Sequence, residues 1–268
     1  MAISTVELKS WSEIHEYLRP GWIYRGQRVA AWDLSTSFER LCDNNSFVGD
    51  EKKKLELALL RDFRRGLHQY STHVPSKNSK IEWLSVMQHH GAPTRLLDFT
   101  YSLYVAAYFA LETADSDCAV WALHGRWVLK QSVAALELAG NKEVTRLNSL
   151  LHEEDEQFCY DLIFNGLSAN AAIPLNPFRL NERLRIQKGL FLIPGTISIS
   201  FMENLTSLPG SDQPENVVKL ILGKSIRAEA LERLFYMNIS RTSLFPGLDG
   251  YAQSLGVFHP CYKPMKWW

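Results

Sequence analysis

Along Asp50 to Tyr70 the apolar residues Leu55, Leu59, Phe63, Leu67 and Tyr70 recur at three- and four-residue steps, with charges filling the remaining face. That spacing predicts an amphipathic helix. A second helix is predicted over Ile81 to His90, stopped by Gly91-Ala92-Pro93, a pair of helix breakers around a small residue. Ser102 to Glu112 differs in kind. Leu103, Val105, Ala106, Ala107, Phe109 and Ala110 cover nearly all of its surface, so the helix predicted there is buried on most sides. Ser4 to Leu18 also reads as helical, as does most of Arg126 to Phe164, where Gly140-Asn141 is the one obvious break. Ser225 to Tyr236 completes the helices, with Ser225 as its N-cap.

Shorter apolar runs predict strands at Trp22-Ile23-Tyr24, Leu96 to Phe99, Ala119 to His124, Leu190 to Ile193, Ile197 to Phe201 and Val217 to Leu222. Strands and helices mix without the regular alternation of a doubly wound sheet, so the expected fold class is mixed α+β. No internal repeat and no Gly/Ser- or Pro-rich linker divides the chain. One domain over residues 1–268 is expected, with 126–170 as a helical insertion inside it.

Composition narrows the function classes. The chain of 268 residues is 46% hydrophobic and 12% aromatic, enough to build a packed core. Lys plus Arg equals Asp plus Glu, 29 each, which argues against a broad basic surface gripping nucleic acid but leaves room for a local basic pocket. Cys42, Cys118, Cys159 and Cys261 are scattered, the wrong spacing for a zinc site, and no metal is expected. Cys118 opens an apolar run to Leu123 and reads as a buried strand residue. No apolar run approaches the ~20 residues of a membrane span, and no secretory signal is visible. A cytoplasmic protein without membrane contact is the expectation. The acidic run Glu153-Glu154-Asp155-Glu156 reads as a solvated face, and Trp267-Trp268 has no reading.

Three polar stretches carry candidate chemistry. In Tyr24-Arg25-Gly26-Gln27, a strand that buries Trp22 and Tyr24 turns Arg25 the other way. Its guanidinium is a rigid fork suited to phosphate or carboxylate, and Gly26 lets a ligand approach the backbone. The plainer reading is a surface ion pair beside a turn glycine. In Gln88 to Thr100, the groups of Gln88, His89, His90, Thr94, Arg95, Asp98 and Thr100 crowd a helix–turn–strand corner and need partners, either one another or a ligand. An internal network would pair Arg95 with Asp98 and His89 with backbone. In Asn181 to Phe191, Gln187 and Gly189 stand at the mouth of a strong strand. Phosphate-loop, dinucleotide-binding, zinc-protease and serine-hydrolase motifs are absent.

Together these stretches resemble the FRG domain, a family named for its aromatic-Arg-Gly motif. Tyr24-Arg25-Gly26-Gln27 matches the name motif, and Trp32-Asp33-Leu34 through Glu39-Arg40 is similar to the segment after it. Gln88 to Thr100, with Ala106 to Phe109 beyond, matches the longest motif. Arg185-Ile186-Gln187, Gly189 and Phe191 match the third, and Phe245-Pro246 through Gly250 resembles the C-terminal end. The resemblance spans roughly residues 20 to 255 and implies no activity by itself.

A weaker resemblance, to ADP-ribosyltransferases of the Arg-Ser-Glu type, implies a split β-core and use of NAD as substrate. Arg25 matches the arginine ending the first strand. Thr100, ahead of Ala106-Ala107-Tyr108-Phe109, matches the hydroxyl residue before a buried helix. Gln187-Lys188-Gly189 stands where the glutamate motif belongs. Cleavage of the nicotinamide–ribose bond builds positive charge on the ribose, which calls for a carboxylate. Arg25, Thr100 and Gln187 are thus the expected catalytic residues. Asp98, Glu182 or Glu203 is the expected source of the missing carboxylate. Tyr24, Arg25, Gly26, Gln27, Gln88, His89, Thr94, Arg95 and Asp98 are the expected nucleotide-binding residues. The implied partners are a nucleotide ligand, a protein or nucleic-acid acceptor and a cognate inhibitor, as for a bacterial or phage toxin or an anti-phage effector. Two other readings stand beside it: a nucleotide- or metabolite-binding module without turnover, and a nuclease or phosphoesterase using His89, His90 and Asp98. The first two readings require Arg25, Gln88, His89, Arg95 and Gln187 to converge on one cleft.

Overall fold

The computed structural model describes residues 2–77, 79–140, 169–177, 179 and 181–255. Its frame is one mixed sheet of seven strands: β1 (Ser4–Leu8), β2 (Trp22–Gln27), β3 (Leu97–Thr100), β4 (Cys118–His124), β5 (Ala172–Leu175), β6 (Gly189–Pro194) and β7 (Val217–Leu222). Their spatial order is β1-β7-β4-β2-β3-β6-β5. β1 runs parallel to β7 and the other neighbours are antiparallel. The α+β class therefore holds.

One junction in this sheet is weak. β2 pairs with β4 over all six of its residues, but with β3 only at Tyr24 opposite Thr100. Beyond that position the two strands part, and the sheet opens into a wedge beside Arg25 and Gly26.

Side chains alternate across each strand, and the alternation builds different cores on the two faces. On one face Ile23, Leu97, Phe99, Trp121, Leu123, Leu190 and Leu192 form a single cluster reaching across the wedge. On the other face there are two clusters. One gathers Tyr24, Val120, Ala122 and Leu220 under α4 (Leu103–Leu111). The second gathers Phe191, Ile193 and Ile173 with α2 (Asp50–Gly66) and α3 (Lys80–His89). Between the two helical layers the sheet is left open.

α4 lies close on β2 because Gly26 has no side chain; a Cβ there would stand 2.0 Å from the Ala106 carbonyl oxygen. α3 ends as its sequence predicts. Gly91 takes φ +79°, and the Ala92 amide returns to the Met87 carbonyl at 2.9 Å, satisfying the helix end. α1 (Ser37–Asn44) starts on a reciprocal cap between Thr36 and Glu39, and Glu39 Oε2 also accepts the Phe201 amide at 3.1 Å.

Three predicted elements are corrected. Ser4 to Leu18 is not a helix but β1 followed by a 3-10 turn over Trp11–Tyr17. Ile197 to Phe201 is not a strand. Ser200 and Glu203 form a capping box that starts a helix at Phe201, and this local bonding outweighs the alternation of Ile197, Ile199 and Phe201. Ser225 is no N-cap, since it lies within a 3-10 turn ahead of the helix Arg227–Tyr236. Of the stretch 126–170 expected as a helical insertion, the described residues contain α5 (Gly125–Leu138), which packs on the sheet through Trp127 and Val128. The acidic run at Glu153 to Glu156, Cys159, Cys261 and Trp267-Trp268 lie outside the described residues. Among those described, no helix is long and apolar enough to cross a membrane.

Cys118 is buried in β4, as expected, and burial pushes its thiol up to about 12. Because the thiolate is the reactive form, iodoacetamide at pH 8 is expected to spare Cys118 in folded protein and label it in urea. Peptide mass mapping reads the difference, and labelling of the folded protein would mean that β4 opens.

Candidate functional site

Where the sheet parts, a cavity of about 210 Å³ forms, lined by Tyr24, Arg25, Gly26, Asp98, Thr100 and Gln187 among others. Phe109 of α4, Phe245, Arg183 and Leu184 complete its walls. The last two belong to α6 (Glu182–Ile186), whose start is fixed by Asn181 accepting the Leu184 amide at 2.7 Å. A smaller cavity of about 40 Å³ adjoins at Asp98, Arg183, Leu184 and Gln187 and brings in Gln88 and His89. On the far side, a wide pocket of about 630 Å³ shares Arg25, Gly26 and Phe109 and carries Gln27, Arg28 and Trp32. Through these shared walls the three lie side by side and form one groove region.

Arg25 is the hinge of this groove. Its Nη1 donates to the Asp98 carbonyl at 2.6 Å, strapping β2 to β3 where their ladder has ended. Its Nε is buried without a hydrogen-bond partner among the described residues. Burial lowers the Arg25 guanidinium from its ordinary value, with Asp98 offsetting part of the effect. The same two causes act in the same order on Arg183, whose guanidinium lies 4.5 Å from the centre of the Phe245 ring. Two arginines thus face one carboxylate in a confined space. Such a site is short of negative charge.

Asp98 stands on the open face of β3, exposed to the groove, with Gln88 Nε2 donating to its Oδ2 at 2.9 Å. Gln88 is oriented in turn by Thr94, whose hydroxyl donates to Gln88 Oε1 at 2.6 Å. His89 is lowered below the ordinary imidazole value by partial burial and by neighbouring His90 and Arg183, so it is mostly neutral at pH 7.

Thr100 and Gln187 are bound to the fold. The Thr100 hydroxyl donates to the Gln187 carbonyl at 2.7 Å and accepts the Ser102 amide at 3.0 Å. Gln187 Nε2 donates to the Leu244 carbonyl at 3.0 Å, which leaves its Oε1 without a hydrogen bond among the described residues. The chain turns from α6 into β6 through Lys188, whose φ of +49° is uncommon for a residue with a side chain.

The structure places Arg25 and Gln187 in the larger cavity with Tyr24, Gly26, Asp98 and Thr100, and Gln88 and His89 in the smaller one beside it. Arg95 must be corrected. It is 3% exposed and donates from Nε and Nη2 to both oxygens of buried Glu56, not to Asp98. Thr94 is likewise buried, acting on the groove only through Gln88. Gln27 lines the wide pocket, but its amide is held between the Trp121 indole and the Asp33 carbonyl. Of the three carboxylates considered, Asp98 alone lines the groove. Glu203 is spent on capping Ser200, and Glu182 is absent from the cavity walls. Arg183 was not singled out from the sequence; the signal that could have found it is Asn181, a helix cap that fixes the side chain two positions on.

No curated protein matches the chain, and no solved structure does. A family model does match, over the stretch that supplies Tyr24, Arg25, Gly26, Gln88, Asp98 and Thr100: that of the FRG domain, at residues 20–118.

Proposed function

We propose that the groove binds the dinucleotide NAD and that the protein is an NAD-dependent ADP-ribosyltransferase in which Asp98 replaces the missing glutamate. The observation that carries this reading is the pairing of Arg25 and Arg183, both short of counter-charge, around the single carboxylate of Asp98. Two guanidinium forks suit a pyrophosphate, which would relieve the unpartnered Nε of Arg25. Departure of nicotinamide leaves positive charge on the ribose. Asp98, kept in place by Gln88, is the group that would offset it, while Gln187 Oε1 is free to accept a ribose hydroxyl. The acceptor of the ADP-ribose in this reading is a macromolecule, protein or nucleic acid, and the biological setting a cytoplasmic toxin or anti-phage effector with a cognate inhibitor.

The test is nicotinamide release from NAD by the purified protein. Arg25→Ala and Asp98→Asn are each expected to lower the rate by about 100-fold or more, the scale on which loss of one preorganised charge partner acts. Release undiminished in both variants would remove the assignment. A second reading, a nucleotide-binding module without turnover, is favoured by the tethering of Gln187 and Thr100 to backbone partners. Thermal stabilisation by NAD that Arg25→Ala abolishes, with no nicotinamide released by the wild type, would select it.

A further inference from the structure

The wide pocket of about 630 Å³ is not accounted for by the chemistry at Asp98, and Trp32, Asp33, Ser35, Glu39 and Arg40 of the sequence motif line it. Trp32 is 46% exposed, a large cost in apolar surface for a residue that could have folded inward. Yet its backbone is firmly held. Its amide donates to the Val29 carbonyl at 3.2 Å, and its carbonyl accepts from Lys219 Nζ at 3.0 Å. The neighbouring Ala30 amide is held by the Asp117 carbonyl at 2.8 Å. The Arg28 guanidinium lies 5.2 Å from the centre of the indole ring. An aromatic plane on a pinned loop, backed by a cation and open to a pocket, is the form of a stacking platform for a nucleobase. Arg25 stands at the boundary between this pocket and the narrower cavity, where a phosphate attached to that base would lie.

We infer that the Arg28–Trp32 wall is a subsite for the base of an adenine nucleotide, joined through Arg25 to the catalytic cavity. This rests on the reading of the groove as an NAD site and adds to it a direction: the adenosine half lies toward Trp32 and the nicotinamide half toward Asp98. The pocket's charge fits a nucleoside better than a polyanion. Arg40 spends Nη1 on the Ser35 carbonyl at 2.7 Å, and Glu39 spends its carboxylate on helix amides. Asp33 and Asp43 remain on the walls as acceptors for ribose hydroxyls.

The experiment is calorimetric titration of wild type, Trp32→Ala and Trp32→Phe with AMP, which lacks the bond whose cleavage the nicotinamide assay follows. Wild type is expected to bind AMP, Trp32→Ala to bind it about tenfold or more weakly, and Trp32→Phe to retain most of the affinity, as stacking on an aromatic ring requires. Because the Trp32 side chain is exposed, the alanine variant is expected to keep its circular dichroism and melting temperature. Failure of AMP to bind the wild type, or equal affinity in Trp32→Ala, overturns the subsite. Either result leaves nicotinamide release free to stand or fall separately, so the two failures are distinguishable.

Discussion

Replacing Glu56 by alanine is expected to lower the unfolding free energy by about 3–5 kcal/mol, the cost of breaking a buried ion pair by removing one member. Glu56 and Arg95 are both nearly inaccessible, and the arginine fork grips both carboxylate oxygens. The pair ties α2 to the approach of β3, which bears Asp98. Removing both charges with a Glu56→Leu, Arg95→Met double variant is expected to recover most of the loss, since apolar replacements of buried pairs are often neutral or stabilising. Urea denaturation measures both. A single-variant loss below about 1 kcal/mol would mean that water reaches the pair. The comparison also separates structural from ligand-binding roles: the double variant is expected to keep the affinity of the groove for nucleotide, which an Arg95 in direct contact with ligand would not allow.

Gly26→Ala is the second large effect. The new Cβ would meet the Ala106 carbonyl oxygen at 2.0 Å and the Ala110 amide at 2.6 Å. Both are backbone atoms of α4, so no flexible side chain can swing aside. The helix must shift or the strand must bend, and the expected cost is about 3 kcal/mol or more, at the top of the usual range for overpacking. Because α4 also carries Phe109 into the groove, the surviving folded molecules are expected to lose ligand affinity as well. A melting temperature within about a degree of wild type would show that α4 does not lie on β2 as described.

What could be read from the sequence divides by distance along the chain. The helices over α2, α3 and α4 rest on local periodicity and caps, and the structure contains them. Arg25, Gly26 and Asp98 were visible because polar or flexible residues interrupt apolar strands. Glu56 as the partner of Arg95 was not visible. It lies 39 positions upstream on a helix that also carries Asp50, Glu51 and Asp62, and no local rule selects it. β1 escaped because it is the lone parallel strand and finds its partner, β7, only after some two hundred residues. The tether of Gln187 to the Leu244 carbonyl crosses 57 positions, so the residue read as poised for chemistry is also a clamp on the C-terminal wall of the groove. The strand misread at Ile197 is a different error. The Ser200 to Glu203 spacing that starts a helix was present in the sequence and was outweighed by three alternating apolar residues.

The single paired position between β2 and β3 has a mechanical consequence. Ladders give a sheet its resistance to shear, and between these strands the ladder has one rung, reinforced by the strap from Arg25 to Asp98. Force across the seam therefore passes through the unbroken layer beneath it, where Ile23, Phe99 and Trp121 belong to one cluster. Close-packed interiors compress very little. The two strands can neither pinch together nor spread without deforming that layer, so the opening between β2 and β3 is gauged by it. A ligand of the right span meets a seat already cut to width, and one a few ångströms longer finds no give.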